Sequence, residues 1–180
     1  MALADTASSL RHVMVVGGTL ADWAALTDDA WLGLVDELGM TCSQNGVPWL
    51  TLRPFGPGSV DVLPPPRREL AVHGCTVIVD GSPDGRVRFA EAMNRIARSD
   101  EVNEASVAAV LYEPADCEPD LVVVLGSPTQ LPPSLVWELA YAELAFLPVT
   151  WAEFGAPALG GAFDDFARRR RRFGGLDTDG

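Results

Sequence analysis

The sequence predicts an α/β fold, with a mostly parallel central sheet flanked by helices on both sides. Two observations carry that reading. Strand-like and helix-like segments alternate along the chain. The segments HVMVV (residues 12–16) and DLVVVL (residues 120–125) are apolar throughout, as strands buried on both faces must be. A length of 180 residues suits one domain with its own core, expected over residues 1–175 with a flexible tail at 176–180.

The elements follow in order. The strand at residues 12–16 stops at Gly17-Gly18. Thr27 or Asp28 caps a helix that runs to Gln44 and ends at Asn45-Gly46, with Trp31, Leu34, Val35 and Leu38 on one apolar face. PWLTLRPF (residues 48–55) reads as a second strand. Residues 54–68 hold five prolines and two glycines, and form a connector that supports neither helix nor ladder. Residues 70–79 give one or two strands, and DGSPDG (residues 80–85) is turn chemistry. Residues 86–98 form a helix with Val87, Ala90, Met93 and Ile96 or Ala97 inward. Glu101–Leu111 forms another, capped near Ser99 or Asp100. After the strand at 120–125, Ser134–Phe146 and residues 157–172 read as helices.

Charge excludes several roles. Asp+Glu number 25 against 13 Lys+Arg, a net charge of −12, and every positive residue is arginine. Such a chain repels nucleic acid, whose binding depends on basic residues. No apolar stretch is long enough to span a bilayer and no secretory signal is visible, so the expected location is cytoplasmic, or peripheral to a membrane through a complex. Cys42, Cys75 and Cys117 are odd in number and widely spaced, which fits neither a disulfide framework nor a zinc site. They read as small buried thiols.

Familiar catalytic patterns are missing. Gly17-Gly18-Thr19 lacks the further glycines and the lysine of a nucleotide-binding loop. His12 and His73 stand alone, no GxSxG is present, and no carboxylate pair is singled out for acid–base work. The run Arg168–Arg172 followed by Phe173-Gly174-Gly175 is more informative. Guanidinium groups beside glycine amides suit a diphosphate, although five arginines at a helix C-terminus also suit the helix dipole.

LVWELAYAELAFLPVTWAEF followed by RRRRRFGG (Leu135 to Gly175) resembles the C-terminal part of the cis-prenyltransferases, such as undecaprenyl diphosphate synthase, whose pattern is LLWQxAYAELxFxxxxWPDF and then RRFG. His12-Val13 and Trp23-Ala24 fall at the family's N-terminal spacing. The resemblance implies the cis-prenyltransferase fold, with the region that walls the prenyl tunnel cut down to the connector at 54–68 and the tunnel absent or closed.

The departures from the family shape the functional expectation. In the motif HVxxIMDGNxRWA the aspartate holds magnesium and the allylic diphosphate; here its position is Gly18, and the arginine position is Asp22. In RTSGExRxSNF two arginines and a serine bind isopentenyl diphosphate; here those positions are Val124, Gln130 and Pro132. The resemblance therefore implies no catalytic residue and no metal ligand in this chain.

The C-terminal RxG motif, which reaches across the dimer to isopentenyl diphosphate, is kept as Arg172-Phe173-Gly174, and Glu143 matches a glutamate near the diphosphate. This division resembles the non-catalytic subunits of heteromeric cis-prenyltransferases, of the Nogo-B receptor type. It implies a catalytic partner subunit that binds Mg2+, in a heterodimer or heterotetramer formed through Trp137, Tyr141, Leu144, Phe146 and Trp151. Two other readings stay open. One is a prenyl or terpenoid synthase active alone, with a relocated metal site among Asp22, Asp80 or Asp84. The other is a regulatory binding protein that kept only the fold.

Overall fold

A computed structural model describes residues 10–56, 58, 62–97 and 101–173, with the side chains of 170–173 excepted. The strands are β1 (His12–Val16), β2 (Trp49–Arg53), β3 (Arg68–Val72), β4 (Cys75–Val79), β5 (Leu121–Leu125) and β6 (Glu143–Leu147). The helices are α1 (Leu20–Ala24), α2 (Asp28–Gln44), α3 (Gly85–Ile96), α4 (Glu104–Tyr112), α5 (Glu138–Tyr141) and α6 (Ala156–Phe173), with a 3-10 turn at Trp151–Glu153.

The six strands form one sheet in the order β3-β4-β2-β1-β5-β6. All neighbouring pairs are parallel except the β3–β4 hairpin. The apolar strands bury both faces, as their sequences require. Val13, Val15, Leu50, Leu52 and Val123 meet α1, α2 and α6 on one side. Met14, Val16, Ile78, Val122 and Val124 meet α3 and α4 on the other. The expected α/β class with a mostly parallel sheet is the observed one.

Several elements differ from the sequence reading. The segment expected as one helix over Ser134–Phe146 becomes the single turn α5 and then β6. β5 leaves a ladder edge open, and Glu143–Leu147 pairs with it residue by residue. Its side chains then split with a period of two: Leu144 and Phe146 join one core, Ala145 and Leu147 the other. Strand pairing overrides the helical spacing of Trp137, Tyr141 and Leu144. Residues 70–79 resolve into a hairpin whose β3 is an edge strand with an exposed face. In α3 the buried face is turned from the expected one: Arg88, Ala92 and Ile96 point inward and Val87 is exposed. The expected cap at Ser99 or Asp100 lies outside the described residues; Asn103 caps α4 through a reciprocal bond pair with Ser106.

Candidate functional site

From β1 the sheet steps to β2 and β4 on one side, and to β5 and β6 on the other. Open parallel sheets place their ligand crevice outside the strand C-termini at such a switch point. A crevice of about 540 Å³ lies there, between the turn after β1 (Gly18, Thr19, Asp22), the loop after β5 (Ser127, Gln130) and Trp151.

Two positions of the expected metal and diphosphate site, Gly18 and Asp22, have a structural account. Gly18 sits at φ +68°, and a Cβ there would come within 2.8 Å of the Trp151 indole. Trp151 is buried and stacks on Trp23 at 5.3 Å, and the Trp23 indole N–H donates to the Gly17 carbonyl at 2.9 Å. Asp22 is engaged locally: one of its oxygens accepts from the Thr19 backbone N–H at 2.7 Å and from the Thr19 hydroxyl at 2.8 Å. Ser127 and Thr129 bond each other at 2.7 Å.

Among the described residues lining this crevice there is no arginine, and its one carboxylate is the cap Asp22. These residues do not fit a magnesium diphosphate, which needs free anionic ligands and cationic partners. The relocated-metal candidates are not brought together either. Asp80 bonds Arg53, and Asp84 caps α3 and pairs with Arg86. Among the described residues no group of three His, Cys, Asp or Glu side chains is placed to hold a metal.

A second crevice lies on the opposite flank of the connector at 54–68. About 500 Å³ of apolar space remains between α1, α2, the β3–β4 hairpin and the connector. Trp31, Leu32, Leu63 and Leu70 line it, with Asp28 and Arg68 among its walls.

Behind the switch point lies a buried ionic network that sequence reasoning missed. Arg53, at the end of β2, donates to Asp80 at 2.9 Å and to Glu138 at 3.0 Å. Arg88 from α3 also pairs with Glu138. Burial alone would raise the Glu138 carboxyl, but the two guanidinium groups outweigh it and hold it at about 2. Burial likewise opposes ionisation of Asp80, and Arg53 with the Ser82 N–H brings that carboxyl below its usual range. The available signal was an arginine closing an apolar run, WLTLRPF, and a glutamate where the family pattern has glutamine. This network pins α5 to the sheet.

The remaining expected residues are dispersed. Trp137 is half-buried, stacked on Phe89 at 5.9 Å with its indole N–H on Glu118. Leu144 and Phe146 pack against the core formed with α3 and α4. Trp151 belongs to the aromatic cluster with Trp23, Trp31 and Phe154. Of the five expected interface residues, Tyr141 alone is largely exposed, at 60%. Glu143 lies on the edge strand β6 and pairs with Arg169 at 3.3 Å, which ties that edge to the basic end of α6. Arg172 and Phe173 fall in the last turn of α6 with side chains outside the described residues, and Gly174 lies outside them altogether.

Fold and crevice together define an open, doubly wound α/β protein with a crevice at the strand C-termini. A family model described as putative undecaprenyl diphosphate synthase matches residues 72–174, more than half of the chain, and the protein belongs to that prenyltransferase family. Isoprenyl transferase 2 of Bradyrhizobium diazoefficiens is 35% identical over 109 residues, covering 56% of this chain and 43% of that protein. A ditrans,polycis-undecaprenyl-diphosphate synthase of Pectobacterium atrosepticum is 40% identical over 87 residues, covering 47% and 34%. The matched region thus spans less than half the length of these relatives. Two solved structures share the fold. Lavandulyl diphosphate synthase from Lavandula x intermedia, in complex with dimethylallyl diphosphate, superposes with a TM-score of 0.62 at 15% identity, over 88% of this chain and 95% of that one. A probable undecaprenyl diphosphate synthase from Campylobacter jejuni gives 0.60 at 18% identity, over 92% and 99%.

Proposed function

We propose that this chain is a non-catalytic subunit of a heteromeric cis-prenyltransferase. The observation that supports the reading most is the crevice at the switch point, which has the family's position but neither a free carboxylate nor an arginine among its described lining. The chemistry then belongs to a catalytic partner that carries Mg2+. This chain contributes Arg172-Phe173-Gly174 to the partner's isopentenyl diphosphate site, and Glu143, through Arg169, sets where the basic end of α6 leaves the sheet. Tyr141 is the exposed part of the docking face.

The test is incorporation of radiolabelled isopentenyl diphosphate into polyprenyl product, with farnesyl or geranyl diphosphate and magnesium. It is run on this chain, on a catalytic family member from the same source, and on the two co-expressed. Product from the pair, above that of the catalytic member alone, supports the reading. Product from this chain by itself sinks it.

The apolar crevice beside α2 favours one second reading, an isoprenoid-binding regulatory protein. Saturable binding of farnesyl diphosphate by this chain alone, with no effect on any co-expressed synthase, would select it.

A further inference from the structure

We propose that Cys42 and Cys75 form a reactive dithiol which a hydroperoxide closes into a disulfide, stapling α2 to the β3–β4 hairpin. No part of the functional reading above is needed for this.

The geometry begins with Gly39. A Cβ at that position would meet the Val72 side chain at 2.8 Å, so the missing side chain lets α2 lie directly on the hairpin. Cys42 follows Gly39 by three residues and shares its helix face. Cys75 is the cross-strand partner of Val72. The two offsets bring the thiols to the same place in one core cluster. Contacts on either side fix the register. Asp36 pairs with the His73 ring at 2.8 Å, and the Ser43 hydroxyl donates to the His73 carbonyl. Both cysteines belong to one core cluster and both are free thiols.

The pair is chemically unequal. The neighbouring Cys42 holds the Cys75 thiol's proton affinity down, against the opposing effect of burial, and the Leu50 backbone acts in the same direction. Cys42 is pushed up by the same contact and by burial. Cys75, adjoining the exposed turn, is the thiol that meets the oxidant first, and Cys42 behind it is the resolving thiol. The Cys75 thiolate attacks a peroxide oxygen, the O–O bond breaks, and the departing hydroxide takes up a proton as water. The Cys42 sulfur then attacks the sulfenic sulfur, the S–S bond forms, and the S–O bond breaks. The second hydroxide leaves with the Cys42 proton. Two thiols are oxidised by two electrons and one peroxide is reduced to two waters. Cys42 and Cys75 are 0% and 1% exposed, and Cys75 follows the exposed turn His73-Gly74, whose opening is the route by which a peroxide reaches the pair.

The experiment treats the reduced native protein with hydrogen peroxide, blocks remaining thiols with N-ethylmaleimide after denaturation, and maps tryptic peptides without reduction. The chain has no lysine, and Arg53 precedes Pro54, so Cys42 travels in His12–Arg67, Cys75 in Glu69–Arg86 and Cys117 in Ser99–Arg168. The expected product is His12–Arg67 joined to Glu69–Arg86 within one chain, lighter by two hydrogens than the sum. It persists in Cys117→Ser and is lost in Cys42→Ala and in Cys75→Ala. The linked protein melts about 5–10 °C higher than the reduced form, and Cys42→Ala shows no oxidation-dependent rise. Recovery of Cys42 and Cys75 both as maleimide adducts, or a link involving Cys117, would overturn the proposal.

Discussion

At Gly18 the backbone takes the left-handed region with an indole against it. Replacing that glycine has two separable effects. Gly18→Asp returns the carboxylate that the family motif carries, yet it adds a Cβ where there is no room and leaves Val124 and Gln130 in place of two arginines. We expect no synthase activity from the variant chain alone and a stability loss of about 2 kcal/mol, from φ strain and the clash together. Denaturant titration measures the second effect and isopentenyl diphosphate incorporation the first. Measurable activity would show that the missing arginines are not decisive.

His12 gives a pH prediction. Its ring is fully buried, with Nδ1 at 2.9 Å from the Cys117 carbonyl and Nε2 at 2.9 Å from the Thr51 hydroxyl. Burial lowers its proton affinity from the ordinary 6.5 to about 4. Between those values the unfolded chain binds the proton and the folded one does not. Stability therefore falls as pH drops from 6.5 towards 4, by roughly 3 kcal/mol in total, and this contribution is constant below. A urea midpoint that stays flat across that window would refute the assignment of a neutral, buried ring.

Among the elements, α5 depends most on charge. Glu138→Gln restores the residue of the family pattern but leaves Arg53 and Arg88 buried without their shared carboxylate. The expected loss is about 3–5 kcal/mol. Urea denaturation checks it, and a change under 1 kcal/mol would mean that water reaches the two guanidinium groups. At the other end of this region, Arg172→Ala, or truncation before Phe173, should leave the heteromeric complex intact, lower turnover and raise KM for isopentenyl diphosphate. Pull-down separates that outcome from loss of assembly, and unchanged kinetics would remove the acting-in-trans role.

These elements also mark how far the sequence could be read. The strands β1, β2 and β5 and the helices α2 and α6 were legible because each satisfies one period along its own length. The edge strand β6 was not. Its pattern fits a helix locally, and only the open ladder of β5 decides otherwise. In the site, the absent charges were legible at Gly18, Val124 and Gln130. What took their place was not, because the Gly18–Trp151 contact, the Thr19–Asp22 cap and the Arg53–Glu138 pair join residues by folding rather than by spacing.

For the molecule as a whole, the sheet couples its two layers. From Val13 along β1, and along β5, successive residues point into alternate cores, so neither helical layer can detach without exposing strands that the other layer also covers. We expect one cooperative unfolding transition, with near- and far-ultraviolet circular dichroism midpoints that coincide. Separate midpoints would show that one layer melts alone.

The two borders of the sheet are unlike. On β3, Arg68, Glu69 and the hairpin turn face water, and such a charged, exposed strand discourages further strand pairing. β6 is the opposite border. Strand-to-strand contact is thus disfavoured at one border and left to the other, an asymmetry that works against open-ended stacking of identical sheets.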